Sequence, residues 1–194
     1  LAALGSEMET NRARYEGYLR DLAGGIEGDA AAIRDIVFAE GVVTSEEILE
    51  WQTGAAASFM ILPERAALTD ILSSGGIALI DDPEVRRLIS RYAERLDRQL
   101  LAQEDLVGLW RGRLVEYYER HASLYDMVGG VPWYREGLPV GLGSFELDVE
   151  AFVGNRDFAN LLTHRSILAG EARRTTHELL DAIDQLLNAL AQAA

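Results

Sequence analysis

Two distant stretches of this chain keep the same seven-residue count, and that count restricts the fold more than any other feature. In the first stretch Ile89, Leu96, Gln103, Trp110, Tyr117 and Leu124 recur every seven residues. Ala93, Leu100, Val107, Leu114, His121 and Val128 supply the matching offset. In the second, Phe158, Arg165, Ala172, Leu179 and Leu186 form one series. Leu162, Ala169, Thr176, Ile183 and Leu190 form the other. A seam sustained at this period specifies long helices that pack at a shallow crossing angle. The spacing therefore predicts a helix over 83–127, ~65 Å long at 1.5 Å per residue, and an antiparallel partner over 156–190.

The remaining segments fit the same class. Met8, Tyr15, Leu19, Leu22, Ile26, Ala30, Ile33 and Val37 form one stripe of a helix over about 6–40. Gly17, Gly24, Gly25 and Gly28 interrupt it, which suggests a close-packed neighbour or a locally weak helix, with close packing preferred. Thr44 and Glu47 have capping-box spacing, so a second helix is expected over 45–73, broken at Pro63. Ser74-Gly75-Gly76 ends it. The apolar link Ile77-Ala78-Leu79-Ile80 is expected to be pinned to the core. Asp81-Asp82-Pro83-Glu84 is a helix start, with Asp at the cap, Pro at the first position and Glu in the first turn. The predicted fold is all-α: one domain over 1–194, an elongated up-down four-helix bundle with a broken second helix and a long irregular loop at about 129–154.

Composition narrows the chemistry. All 18 basic residues are Arg, there is no Lys or Cys, and there are only three His. The absence of Cys excludes a disulfide framework, a thiol nucleophile and a zinc ribbon. The absence of Lys excludes a P-loop lysine and a Schiff base. A formal net charge of −14 argues against nucleic acid as a partner and against adhesion to an anionic membrane surface. The first 50 residues hold 11 acids and 4 Arg, half of that charge. They form either a docking face for a basic partner or a solvated face.

No metal or cofactor is expected. A di-iron bundle needs Glu-x-x-His on two helices, and Tyr118, Leu161 and Arg174 stand three residues before the histidines. Gly141-Leu142-Gly143-Ser144-Phe145 lacks the strand and helix that a phosphate loop requires. No G-x-S-x-G is present and no paired acids stand at identifiable site geometry, so the chain is expected not to be an enzyme. The polar residues within the seams are the remaining candidates. Gln103, Trp110, Tyr117, His121, Arg165 and Thr176 would line a pocket for a small acidic or aromatic ligand, closed by the 129–154 loop. Alternatively, Arg165 pairs with a local acid and the aromatics are plain core. Trp133 and Tyr134 in the loop are candidates for a protein contact.

Leu72-Ser73-Ser74-Gly75-Gly76-Ile77-Ala78-Leu79-Ile80-Asp81-Asp82-Pro83-Glu84-Val85-Arg86, with Leu88, Ile89 and Tyr92, resembles the central signature of a bacterial family of single-pass membrane proteins of unknown function. Tyr18-Leu19-Arg20-Asp21-Leu22 and Asp157-Phe158-Ala159-Asn160-Leu161-Leu162 extend the resemblance in the same order. It implies a basic N-terminus and one membrane helix ahead of Leu1, and a helical domain outside the cytoplasm at the bacterial inner membrane. The tryptophan and asparagine that follow the membrane helix in such proteins are not found here. The expected role is a non-catalytic extracytoplasmic sensor or binding domain. The alternative is an interaction or scaffold module acting through the acidic first helix or residues 129–145. A homodimer through the first-helix glycines is compatible with either.

Overall fold

The computed structural model describes the backbone of residues 1–38, 60–121 and 156–193, and side-chain environments for these apart from 29–38 and 193. The described residues are mostly helical and contain no strand. They comprise α1 (Ala2–Phe38), α2 (Ala66–Ser73), a 3-10 turn (Gly76–Leu79), α3 (Pro83–Leu109), a π turn (Trp110–Leu114), α4 (Val115–His121) and α5 (Arg156–Ala193). The predicted loop at 129–154 and the predicted helix over 45–59 lie outside the described residues.

Helix α1 begins four residues before the predicted start, and its buried stripe differs from the predicted one. Leu4, Met8, Asn11, Tyr15, Tyr18 and Leu22 are buried, while Leu19 is only half-buried. These positions alternate steps of four and three, the spacing of one helix face. Close packing at the glycines is not found among the described residues. A Cβ on Gly24, Gly25 or Gly28 would meet nothing within 4 Å, and one on Gly17 would meet only the Arg20 side chain at 3.7 Å.

Helix α2 ends where Ser74 N donates to Asp70 O at 3.1 Å. Gly75 follows at φ 71, a left-handed conformation that glycine adopts without a Cβ penalty. The link that follows is not pinned to the core. Its 3-10 turn contains no buried residue, and Leu79 is 85% exposed. Three residues per turn fan the side chains in every direction, so a short apolar run cannot bury them all. Leu79 and Ile80 instead line an open groove of ≈ 400 Å³ with Leu1, Ile71 and Val85.

Helix α3 starts as the sequence predicts. Asp82 Oδ1 accepts from Glu84 N at 2.8 Å and from Val85 N at 3.3 Å. Glu84 also takes a bidentate pair from Arg87, which holds its carboxyl below the usual range. The predicted series Ile89, Leu96 and Gln103 is buried. The predicted offset is misplaced by one residue: Tyr92, Gln99 and Leu106 are buried, and Ala93, Leu100 and Val107 are half-buried. The π turn explains the slip. It holds one residue more than an α turn, so the step from Leu106 to the next buried position of the series, Leu114, is eight residues. Counting seven back from Leu114 therefore lands one residue off the true face.

The chain divides into two compact units. One comprises Leu1–Asp21, Met60–Glu104 and Glu171–Ala194; the other comprises Leu22–Phe59 and Asp105–Gly170. In the first unit the fully buried apolar residues include Leu4, Met8, Leu68, Ile89, Leu96, Leu179, Ile183 and Leu186. Arg95 pairs with Glu178, and Arg12 with Asp184 at 3.3 Å, tying α3 and α1 to α5 within this unit. In the second unit Leu114, Tyr118, Phe158 and Leu162 are buried. Both predicted series of α5 are buried except Leu190, which is half-buried.

Candidate functional site

Residues 60–65 are not helical. The second part of the predicted broken helix does not begin at Pro63; α2 begins at Ala66, after Arg65 at φ −137. An irregular segment must find partners for its backbone N–H and C=O groups. Here the side chains of α1 and α3 provide them. Asn11 Oδ1 accepts from Glu64 N at 2.8 Å, and Asn11 Nδ2 donates to Glu64 O at 2.8 Å. Arg14 donates to Leu62 O at 3.0 Å, and Gln103 Oε1 accepts from Ile61 N at 2.6 Å. Pro63 has no N–H to satisfy. We call this segment the strap.

The strap runs straight into the start of α2, which a side chain of α1 also caps. Glu7, 6% exposed, accepts from Ala67 N at 2.7 Å and from Leu68 N at 3.3 Å. A carboxylate on the first free amides of a helix satisfies orphan donors and opposes the positive end of the macrodipole. Neither Glu7 nor Asn11 is recognisable from composition. The four-three spacing of Leu4, Met8, Asn11, Tyr15, Tyr18 and Leu22 carries that signal once Asn11 is admitted to the stripe.

From Ile61 the hydrogen bonds continue inward in one direction. Gln103 Nε2 donates to Gln99 Oε1 at 2.5 Å, Gln99 Nε2 donates to Thr176 Oγ1 at 3.2 Å, and Thr176 Oγ1 donates to Ala172 O at 2.6 Å. The direction is forced. A backbone N–H can only donate, so Gln103 presents its oxygen to Ile61 and its amino group to Gln99, and the constraint passes on. Gln99, Gln103 and Thr176 are all at most 1% exposed. Buried polar groups arranged in this way are satisfied, so they specify one geometry at little cost.

The phenols of the first unit sit around this network. Tyr92 Oη accepts from Asn11 Nδ2 at 2.9 Å. Burial pushes its pKa up to about 12, against the lowering effect of that hydrogen bond. Tyr18 is likewise pushed up to about 12 by burial. Tyr15 is fully buried, and its hydroxyl approaches the Gln103 side chain without making a hydrogen bond of good geometry. Burial, then the neighbouring phenols of Tyr92 and Tyr18, raise its pKa well above the usual phenol range; Arg65 and the Gln103 side chain only temper this.

The six residues expected to share a pocket fall into two groups. Gln103 and Thr176 belong to the first unit and are joined through Gln99. Trp110, Tyr117, His121 and Arg165 belong to the second. There, Tyr117 stacks on Phe158 with ring centroids 5.3 Å apart and lies 4.4 Å from the His121 ring. Trp110 meets Tyr118 at 5.8 Å. Burial, helped by Asp157, pushes the Tyr117 phenol up to about 12. Arg165 is 5% exposed and has a partner within the protein. Trp133 and Tyr134 lie outside the described residues.

Among the described residues no group of His, Asp and Glu is placed to hold a metal ion, and no helix is long and apolar enough to cross a membrane. No family model, curated protein or solved structure matches the chain.

Proposed function

We propose that this chain is a non-catalytic helical binding domain that engages a protein partner through an extended segment. In this reading it is held on the extracytoplasmic side of a bacterial inner membrane by an anchor ahead of Leu1. The observation that carries the binding role is the pairing of Asn11, Arg14 and Gln103 with the backbone of the strap. Amide and guanidinium groups that read backbone are suited to recognising chain rather than to moving protons or attacking a substrate. The extracytoplasmic placement rests on the resemblance carried by residues 72–92. The same reading takes the helices as an elongated up-down bundle whose second helix is broken at Pro63.

Two experiments test it. A photo-reactive residue at Leu62, which is 67% exposed, should cross-link the full-length protein in cells to one discrete partner. Only scattered labelling would overturn the binding role. Alkaline phosphatase fused to the C-terminus should be active if the domain is extracytoplasmic. An inactive fusion with the protein in the soluble fraction would overturn the anchor.

A second reading is a small acidic or aromatic ligand in the second unit. The π turn favours it, since such turns recur at functional sites, and it ends three residues before Tyr117. Thermal-shift screening with aromatic carboxylates tests it; no stabilisation across the panel would sink it.

A further inference from the structure

We propose that the surface formed by α1 and α3 beneath residues 60–65 is a receptor for extended peptide, and that the strap occupies it as an intramolecular, displaceable ligand. The inference rests on the binding role proposed above and adds to it the class of partner and its regulation.

Three observations lead there. The first is how the strap is recognised. Asn11 takes both polar groups of Glu64, Arg14 takes a carbonyl, and Gln103 takes an amide. All of these contacts are to backbone, so they tolerate different side chains. The sequence requirement is limited to a free N–H at two positions three apart, an intervening residue that needs none, and an acid facing Arg14. In the strap those are Ile61, Glu64, Pro63 and the Glu64 carboxylate, which Arg14 meets at 2.8 Å.

The second observation is how lightly the strap is held by anything else among the described residues. Met60 is 44% exposed and Leu62 67% exposed, and Ile61 and Pro63 are half-buried. Its ion pairs, Arg14–Glu64 and Arg65–Asp97, are solvent-exposed; such pairs contribute at most about 1 kcal/mol each. A segment with few buried apolar groups opens locally at low free energy. Leu68, by contrast, is fully buried and its amide is capped by Glu7, so opening stops at the start of α2.

The third observation lies beside the strap. The Tyr15 hydroxyl is buried close to Gln103 and Arg65, and it makes no hydrogen bond of good geometry. The strap leaves a polar group unused that a different extended chain can satisfy.

A tethered segment competes at an effective concentration on the order of mM. The wild-type protein should therefore bind peptide weakly, and loosening the strap should reveal the site. The probe is a fluorescent synthetic peptide with the sequence of residues 58–68, followed by anisotropy against wild type and against the double variant Ile61→Pro/Glu64→Ala. Those changes remove the amide read by Gln103 and the carboxylate read by Arg14 without touching the receptor. We expect at least tenfold tighter binding to the double variant. Binding should be lost when the peptide is N-methylated at its Ile61 and Glu64 positions, or when Asn11→Ala is added. A double variant of wild-type helicity that binds no tighter than wild type overturns the proposal.

If the double variant does not fold, hydrogen exchange on the wild type decides. The amides of Ile61 and Glu64 should exchange faster at saturating peptide while Leu68 keeps its protection. Unchanged exchange at 61 and 64 overturns the proposal. A Leu62 cross-link that survives alongside a failed peptide competition would leave the binding role standing and remove only the displaceable strap.

Discussion

Asn11 and Glu64, fifty-three residues apart, exchange two hydrogen bonds, side-chain amide to backbone amide, each 2.8 Å long. One side chain thus does for the strap what a neighbouring strand does in a sheet. Asn11→Ala leaves the Glu64 backbone and the Tyr92 hydroxyl without that partner. We expect a loss of about 2–3 kcal/mol, because truncating one side of a buried hydrogen-bonded set costs the desolvation of what remains. Asn11→Asp should be no better, since it keeps the acceptor and loses both donors. Urea denaturation of the three proteins checks the order.

Glu7 provides a second, separable fastening. Glu7→Gln keeps one acceptor for the Ala67 and Leu68 amides and should cost about 1 kcal/mol; Glu7→Ala should cost about 1–2 kcal/mol, as for loss of a helix cap. Hydrogen exchange at Ala67 and Leu68 should rise in that order, with α5 unaffected. Equal protection in all three proteins would show that Glu7 does not cap α2.

The legible parts of this chain and the obscure ones have the same origin. Phe158, Arg165, Ala172, Leu179 and Leu186 are buried as the seven-residue count requires because α5 is uninterrupted α-helix. The same count on α3 selects Ala93, Leu100 and Val107 in place of Tyr92, Gln99 and Leu106, because the π turn at Trp110–Leu114 adds a residue that the letters do not mark. The Asp82 cap is local and was readable. Glu7 and Asn11 bond to chain more than fifty residues away, and a polar letter in an apolar stripe looks like a break until its partner is known. Gln103 and Thr176 stood out as polar residues in a seam, but Gln99, which joins them, lay off the counted series.

The π turn makes a deletion tolerable. Removing Gly112, where a Cβ would meet nothing within 4 Å, should convert the turn to α-helix and leave the buried faces on either side in phase. Removing Glu104, within α3, should rotate everything that follows by about 100° and abolish cooperative unfolding. Thermal melts followed by circular dichroism distinguish the two; equal damage from both deletions would refute the register argument.

The open surroundings of the α1 glycines predict a gain. Gly24→Ala and Gly25→Ala should each stabilise the protein by ~0.5–1 kcal/mol, from helix propensity alone. In a chain of this size that is a rise of roughly 2–4 °C per kcal/mol. A fall in melting temperature would contradict the open surroundings of those glycines.

Tyr18, Tyr92 and Tyr117 hold their protons up to about 12, mainly because they are buried. The folded form therefore binds protons that the unfolded chain releases at the usual phenol value of about 10. Their contribution to stability is whole below about pH 10 and is lost as pH rises from there toward 12. Tyrosinate absorbance should lag behind that of free tyrosine until the protein unfolds, and then appear in one step. Smooth titration near 10 with native helicity would contradict the burial of these rings.

The two units are assembled from interleaved lengths of chain, and this fixes the order in which a ribosome can deliver them. The second unit is complete once Gly170 has emerged, although it begins only at Leu22. The first unit begins at Leu1 but needs Glu171–Ala194 to close. Residues 1–21 are thus made before the second unit yet enclosed after it. Met8, Tyr15, Ile89 and Leu96 must stay soluble until α5 supplies Leu179, Ile183 and Leu186. Throughout that interval, protection of α1 depends on vectorial synthesis and on whatever holds the nascent chain.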